Sequence, residues 1–394
     1  MSYFFFADLA INNYRSFLEF VPQNDPDGQC KELIRCLRKQ YTSKACGLID
    51  KDEKMAWKNW LYVAHLREGG SVKLNVLHVA IIMQNSPLID CILKSQANND
   101  FLHNHVEPNE KSEEADQEVK WIYGATVLHL AARYFASCIP KLLEKLNGGL
   151  IDDVANDAQM TPLHVSAMSS NTVSTRILIE NDCKVREAKD KLNRSPLFYA
   201  AKYHNYGDAM LLVWGDCDIF EADDYGQKPF QVANSKIMEF FISRMRRMSI
   251  EVLLEKDSQL EVYEEIVKNH PKLIQSFLDI FITSNNKEGT LKFDLSLFTT
   301  GTGSYFNMMH RHRFLIEKNQ KEHLLHPLML GFTEIKWRSY LQRFIPMTIF
   351  IFMFMAFFSW HCFTYSDLTG CSNDTSCAKH SCRYVPILIR FKST

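Results

Sequence analysis

Three histidines at recurring positions are the side chains best suited to bind a metal ion. His78, His129 and His164 each occupy the fourth position of a six-residue segment that starts with Asn or Thr and has Leu at its third position. Imidazole is a common zinc ligand, but no pair of His or Cys residues has the spacing of a zinc site. The alternative is that each histidine hydrogen-bonds the turn at the start of its own helix. Recurrence in separate segments favours this structural role, and we predict no metal.

The sequence carries none of the common catalytic motifs. It has no G-x-S-x-G, no Walker A sequence, no H-E-x-x-H and no Asp-His-His-Cys acyltransferase motif. Its 45 Lys and Arg residues are balanced by 46 Asp and Glu residues, so net charge does not indicate a nucleic-acid partner. The basic cluster at residues 310–313 either contacts anionic lipid headgroups or is a solvated part of a linker, and we favour the linker. We predict a non-enzymatic protein without a cofactor.

The 11 cysteines fall into two groups. Seven of them, from Cys30 to Cys217, have irregular spacings that are typical of reduced cytosolic thiols. The other four lie in or just after an apolar stretch: Cys362, Cys371, Cys377 and Cys382. This distribution predicts that the two ends of the chain occupy different redox compartments, with a disulfide among Cys371, Cys377 and Cys382.

A six-residue motif recurs through the first two thirds of the chain. Copies start at Thr126, Thr161, Ser195 and Lys228, at intervals of 35, 34 and 33 residues, and an earlier copy starts at Asn75. A period of about 33 residues, with a turn followed by two helices, is typical of ankyrin repeats. The segments resemble these repeats, which implies a solenoid that binds protein partners on its concave face.

The residues of the motif fit this interpretation physically. Thr or Ser at the first position caps a helix, and Pro at the second is tolerated in its first turn. The segments Asp190–Arg194 and Asp223–Gln227 have the composition of the turns that lead into the next repeat. The first interval is 51 residues, which leaves room for a polar, acidic insert at about residues 98–120 that we predict to be a long exposed finger.

Residues 344–365 are uncharged and rich in Phe and Ile. Twenty-two helical residues span about 33 Å, enough to cross a hydrocarbon core of about 30 Å. Lys336, Arg338 and Arg343 precede this stretch, whereas the nearest basic residue after it is Lys379. By the positive-inside rule, the repeats lie in the cytosol and the following segment lies outside.

A sequon and a second motif flank the apolar stretch. Asn373 begins the sequence Asn-Asp-Thr, which is an N-glycosylation acceptor on the predicted outer side. On the other side, His326-Pro327-Leu328 is followed after seven residues by Lys336-Trp337. This block, together with Leu291–Phe298, resembles the segment before the first membrane helix of ankyrin-type transient receptor potential (TRPA) cation channels.

The resemblance covers residues 75–365 and is greatest to the painless-like branch, which serves thermal and nociceptive sensing. It implies a subunit of a non-selective, calcium-permeable channel in the plasma membrane, with six membrane helices, a homotetrameric assembly and cytoplasmic N-terminal repeats. The chain departs from this pattern because it has one membrane helix of the six and no selectivity filter. We therefore expect a fragment that ends after the first membrane helix.

Two alternatives remain open. The chain is either a single-pass, membrane-tethered ankyrin scaffold or a short isoform that modulates a channel. Sequencing of the transcript beyond the codon for Thr394 distinguishes these from the fragment. Because no cysteine lies between Cys217 and Cys362, we do not predict irritant sensing through reactive cysteines in that segment.

The sequence as a whole predicts an all-α protein made of an ankyrin-repeat solenoid, a helical linker and one transmembrane helix. The predicted divisions are degenerate or capping repeats at 1–70, ankyrin repeats at 71–245, a helical linker before the membrane at 246–343, the membrane helix at 344–365 and an extracellular segment at 366–394.

Overall fold

The computed structural model describes residues 18–20, 32–33, 35–36, 41–51, 61–65, 71–94, 104–110, 120–146, 155–181, 188–257, 261–285, 290–294 and 321–368. The chain divides into two compact units, before and after the boundary between His323 and Leu324.

The described part is mostly helical. The helices of the first unit are α1 (Thr42–Lys51), α2 (Val76–Ile82), α3 (Ser86–Lys94), α4 (Val127–Tyr134), α5 (Ile139–Lys145), α6 (Pro162–Ser169), α7 (Thr172–Asn181), α8 (Pro196–Lys202), α9 (Tyr206–Trp214), α10 (Pro229–Val232), α11 (Ser235–Met245), α12 (Ile250–Lys256), α13 (Glu261–Asn269) and α14 (Ile274–Leu278). Short 3₁₀ turns cover Lys120–Ile122, Ala136–Cys138, Pro271–Leu273, Asp279–Phe281 and Lys321–Leu325. The second unit contains one long helix, α15 (Pro327–Leu368).

In the described part of the chain, two antiparallel sheets accompany the helices, so the prediction of an all-α fold was incomplete. Strands β1 (Leu18–Phe20), β2 (Leu61–His65), β3 (Ser71–Asn75) and β4 (Glu107–Glu110) form a four-stranded sheet in that order, and β5 (Ile282–Asn285) pairs with β6 (Thr290–Phe293). The hairpin of β2 and β3 runs directly into α2. These strands are only three to five residues long, too short for apolar alternation to mark them in the sequence.

The helices form pairs, and the first helices of successive pairs pack on one another. The first helices α2, α4, α6, α8, α10 and α13 contact in that order, and the second helices α5, α7, α9 and α11 do the same. The third motif residue of each pair that carries the motif is 1% exposed or less, namely Leu77, Leu128, Leu163, Leu197 and Phe230. Burying one such side chain stabilises the fold by about 1.5–3 kcal/mol, so this repeated position supplies much of the core.

The predicted insert is bracketed by backbone hydrogen bonds. The Val106 N–H donates to the Ala125 carbonyl at 2.8 Å, and the Gly124 N–H donates to the Val106 carbonyl at 3.0 Å. Within the insert, β4 pairs with β3. Val106, inside the insert, is therefore held against the residues that immediately precede α4, where the later repeats have a short turn.

Helix α15 is 42 residues long, or about 63 Å. It is the one described helix that is long and apolar enough to cross a membrane, and its most apolar window is not buried. The helix begins at Pro327, so Pro346 lies inside it and not in its first turn. Residues 327–343 belong to the same helix, and the exposed pair of Arg338 with Glu334, 2.7 Å apart, adds a few tenths of a kcal/mol to its stability.

Candidate functional site

Three equivalent turns join the helix pairs on one side of the repeats. Each turn starts with a buried Asn or Asp, at position 156, 190 or 223, and one oxygen of that side chain accepts two backbone N–H groups. The donors lie two and four residues further along the chain, at distances of 2.7–3.0 Å. The fourth residue of each turn has a left-handed backbone, as Gln159, Asn193 and Gly226 show. Each turn is thus closed by its own first side chain.

Backbone hydrogen bonds also connect each turn to the one before it. The second residue of each turn donates its N–H to a carbonyl of the preceding turn at 3.0–3.1 Å: Asp157 to Tyr123, Lys191 to Ala158, and Asp224 to Leu192. Consecutive turns therefore form a continuous row. We call residues 156–160, 190–194 and 223–227 the finger row.

The finger row presents polar side chains and one aromatic ring to solvent. Its exposed residues are Asp157, Gln159, Lys191, Asp224, Tyr225, Gly226 and Gln227. The Tyr225 side chain is 68% exposed. By contrast, all the residues of α6 except the last are buried. Tyr is among the residue types enriched at protein–protein interfaces, and the polar side chains around Tyr225 have the composition of an interface rim.

A buried ion pair braces the last two turns. Arg194 Nε lies 3.1 Å from Asp223 Oδ2, and their side chains are 10% and 0% exposed. The guanidinium carbon of Arg194 also lies 5.0 Å from the ring centroid of Phe198 and 5.9 Å from that of Tyr225. The Tyr199 hydroxyl donates to Asp190 at 2.5 Å. Because these charges are enclosed and paired, they hold neighbouring turns in register.

The recurring histidines link each helix start to the next turn. His129 Nδ1 accepts the Thr126 N–H at 3.1 Å, and its Nε2 lies 2.8 Å from the Met160 carbonyl. His164 does the same with Thr161 at 3.0 Å and the Arg194 carbonyl at 3.0 Å. The predicted structural role is confirmed for these two side chains.

His78 follows the same pattern at the start of α2, where its Nδ1 accepts the Asn75 N–H at 3.3 Å. Burial lowers the pKa of His78 to about 3, and it lowers the pKa of His129 and of His164 to about 4. All three rings are therefore neutral at pH 7. Across the described ranges, no group of three or more His, Cys, Asp or Glu side chains is arranged to hold a metal ion.

The repeat register continues beyond the last motif that the sequence revealed. Asp257 lies 34 residues after Asp223, and its carboxylate accepts the N–H groups of Glu261 at 2.9 Å and Val262 at 3.1 Å. Helix α13 follows and contacts α10, and Glu261 pairs with Lys228 at 2.9 Å. The pair α13–α14 thus stacks like a further repeat inside the segment predicted as a linker. The motif at Glu261 has diverged, and only the spacing of Asn156, Asp190, Asp223 and Asp257 could have indicated it.

The residues of the motif before the apolar stretch lie at the beginning of α15. His326 immediately precedes the helix, and its Nδ1 accepts the Leu328 N–H at 3.3 Å. Pro327 is the first helical residue, and Lys336 and Trp337 lie on the same helix. Trp337 stacks on Tyr340 with ring centroids 5.9 Å apart, and Tyr340 stacks on Phe344 at 5.3 Å. The motif and the apolar stretch therefore belong to one helix.

The remaining predicted site residues, Asn373, Cys371, Cys377 and Cys382, lie outside the described residues. Among the cysteines that the structure describes, Cys138 is buried, and burial raises the pKa of its thiol to about 12. A thiol with this pKa is almost entirely protonated at neutral pH, which fits a packing role better than a reactive one.

This arrangement of turn, helix and second helix is that of ankyrin repeats. Residues 128–223 match the family model of ankyrin repeats, in three copies. No curated protein shows significant similarity to the chain. The chain therefore contains ankyrin repeats, followed, among the described residues, by one helix that is long and apolar enough to span a membrane.

Proposed function

We propose that the chain is a membrane-anchored ankyrin protein that binds a protein partner through its finger row. The observation that carries the proposal is the row itself, in which hydrogen-bonded turns hold exposed polar side chains and Tyr225 at fixed spacings. A surface fixed before binding loses little conformational entropy when a partner binds, so modest contacts give useful affinity. The function is non-enzymatic.

The anchor in this proposal is the apolar part of α15. Its side chains are exposed, as expected of a helix that faces lipid. Lys336, Arg338 and Arg343 precede the apolar part, which supports a cytosolic location for the repeats. The stacked rings of Trp337 and Tyr340 come one to two helical turns before the apolar part, where aromatic residues would favour the membrane–water interface. We place the protein in the plasma membrane with the ankyrin region in the cytosol.

A second candidate function is that of a channel subunit. The specific observation in its favour concerns the block at His326–Leu328 and Lys336–Trp337, which resembles the corresponding block of TRPA channels. His326 immediately precedes α15, and the rest of the block lies on that helix together with the apolar stretch. In this candidate the chain supplies the cytoplasmic arm and first membrane helix of a tetrameric, calcium-permeable cation channel of the painless-like type. Partner binding, heat or force on the arm would then shift the balance between closed and open states.

Site-specific photo-crosslinking in cells tests the proposed binding surface. A photo-reactive amino acid at position 225 probes the finger row, and one at position 173 on α7 probes the opposite side of a helix pair. Tyr225 and Val173 are 68% and 60% exposed, so the two probes are matched in accessibility. We expect a defined crosslinked protein from position 225 and none of that mass from position 173. Equal crosslinking from both positions would contradict the proposal.

Electrophysiology tests the channel candidate separately. The longest reading frame that contains residues 1–394 would be expressed in a heterologous cell, and cation currents would be recorded during heating and mechanical stimulation. A calcium-permeable current that is absent from mock-transfected cells supports the channel. A protein that reaches the plasma membrane and gives no such current rejects the channel and leaves the binding function standing.

A further inference from the structure

The connection between α11 and α12 has a feature that neither repeat packing nor the finger row explains. It consists of Arg246, Arg247, Met248 and Ser249, and Ile250 begins α12. Arg-Arg occurs once in the chain. The serine therefore has arginine at the third and second positions before it and an apolar residue directly after it.

The structure presents this connection to solvent. Arg246, Arg247 and Ser249 are exposed, and the Ser249 backbone is extended, with φ −69° and ψ 148°. The Ser249 hydroxyl accepts the Val252 N–H at 3.4 Å, which is a long and weak hydrogen bond. The Arg246 guanidinium donates to the Ser276 carbonyl at 3.2 Å, also at the surface. The hydroxyl is thus accessible on an exposed connection.

We propose that Ser249 is a phosphorylation site for an arginine-directed serine/threonine kinase. Such an enzyme holds the two guanidinium groups before the acceptor with carboxylates, through charge-assisted hydrogen bonds, and binds the apolar residue after the acceptor in a shallow pocket. Arg246, Arg247 and Ile250 match these three contacts. Ser249 has the extended backbone of a bound substrate strand, whereas Arg246 is helical and Ile250 begins α12, so these two residues must extend when the connection enters a kinase cleft.

The reaction is an ordinary phosphoryl transfer from ATP. The Ser249 Oγ attacks the γ-phosphorus, the bond from that phosphorus to the bridging oxygen breaks, and ADP leaves. The hydroxyl proton passes to the catalytic aspartate of the kinase. The product carries about −2 charge beside Arg246 and Arg247, at the junction of α11 and α12.

The chain also contains a weaker competitor. Ser393 has Arg390 three residues before it, but Phe391 occupies the position of the second arginine. A kinase that requires both arginines discriminates between the two serines. This makes site mapping decisive.

The experiment uses the full chain in detergent micelles, with the catalytic subunit of cAMP-dependent protein kinase and Mg-ATP. Intact-mass spectrometry followed by peptide mapping should show one phosphate, on Ser249. S249A should remove it. R247A keeps the hydroxyl and should lower the initial rate about tenfold, because one charge-assisted contact is lost. S243A, at an exposed serine of α11 without this context, should leave the rate unchanged.

Two results would overturn the inference. One is a phosphate on Ser393 or another residue, with incorporation unchanged in S249A. The other is a full chain that takes up no phosphate while a peptide of residues 243–253 is phosphorylated in parallel, since the folded connection then does not admit the kinase. The inference does not depend on the proposed membrane anchor or binding partner, and failure of either proposal leaves this test unaffected.

Discussion

Buried titratable residues in the repeats have opposing effects on how stability depends on pH. His78, His129 and His164 are neutral in the fold, and burial lowers their pKa values to between about 3 and about 4. Asp208, in α9, is also fully buried, and burial raises its pKa to about 7. Acidification therefore destabilises the fold through the histidines and stabilises it through Asp208, and each effect needs its own test.

Asp208→Asn should stabilise the chain above neutral pH. The folded pKa of Asp208 is about 7, above its unfolded value of about 3.9, so the cost of its charge grows as the pH rises between these values. Removing the charge should raise the free energy of unfolding at pH 8 by on the order of 3–4 kcal/mol, and at pH 5 by only about 1–2 kcal/mol, because a pKa difference of one corresponds to about 1.4 kcal/mol. Urea unfolding followed by circular dichroism measures this. The exposed Asp224→Asn is the matched control, and an equal gain at both pH values would contradict the assignment.

In the Asp208→Asn background, the fold should lose stability as the pH falls from 7 to 5. The folded pKa values of the three histidines lie below the unfolded value of about 6.5, so their contribution is complete above pH 6.5 and is lost as the pH falls towards 4. The loss is on the order of 1–2 kcal/mol for each histidine. A urea midpoint that is the same at pH 7 and pH 5 would show that the rings are not buried and neutral.

Sequence reasoning recovered the role of the histidines because each stands at the same motif position in a separate repeat. The burial of Asp208 could not be predicted in this way. It is a single aspartate near the start of α9, where the usual expectation is a solvent-exposed side chain that favours the helix N-terminus. The burial of Asp208 depends on how α9 packs against α7, which the sequence near Asp208 does not reveal.

At the scale of elements, the turns of the finger row depend on their first side chain. Asp223→Ala removes the acceptor for the Tyr225 and Gln227 N–H groups and leaves Arg194 enclosed without its carboxylate. We expect a loss of about 3 kcal/mol in the free energy of unfolding.

The control for that substitution is its neighbour. Asp224 is exposed, and its backbone N–H, which alanine retains, makes the bond to the Leu192 carbonyl. Asp224→Ala should therefore change the free energy of unfolding by less than about 0.5 kcal/mol. Similar losses for the two variants in urea unfolding would mean that the side chain of Asp223 does not close the turn.

The turns at Asp190 and Asp223 were predicted because each combines an Asp with polar residues just before a helix cap. The turn at Asp257 was missed because its motif lacks the Thr-Pro-Leu-His pattern, although its carboxylate also accepts two backbone N–H groups, from residues four and five positions further along. The sheet was missed for a different reason, since β1 and β4 are three and four residues long and are recognised only by their partners.

At the scale of the whole molecule, the proposed topology predicts where glycans are added. In translation with endoplasmic-reticulum microsomes, Asn373 should be glycosylated and the sequon at Asn193 should not, because the repeats remain on the cytosolic side. A gel shift reversed by endoglycosidase measures this, and the chain should stay with the membranes after carbonate extraction.

Two variants separate the outcomes. N373Q should abolish the shift, whereas N193Q should leave it unchanged. A shift that depends on Asn193 would place the repeats in the lumen and reverse the orientation. An unglycosylated chain released by carbonate would remove the membrane anchor from the proposed function.

Two features of the sequence predicted the order of the domains along the chain: the interval between repeats and the uncharged run of residues 344–365. The start of α15 could not be predicted in this way, because an uncharged run indicates which residues can lie in the membrane and not where the helix begins. Residues 327–343 are polar enough to read as a linker, yet Arg338 and Glu334 pair one turn apart along the helix at 2.7 Å. The helix is therefore nearly twice as long as the apolar run that it contains.

Pro346 has a mechanical consequence for this long helix. Proline has no N–H, so the Gln342 carbonyl loses its partner four residues along, and the proline ring crowds that turn. Helices bend most easily at such points. The bend would fall close to the start of the apolar run, two to three turns after Trp337. The angle between the polar and apolar halves of α15 can thus change at one place while both halves stay helical, which makes residue 346 a natural pivot.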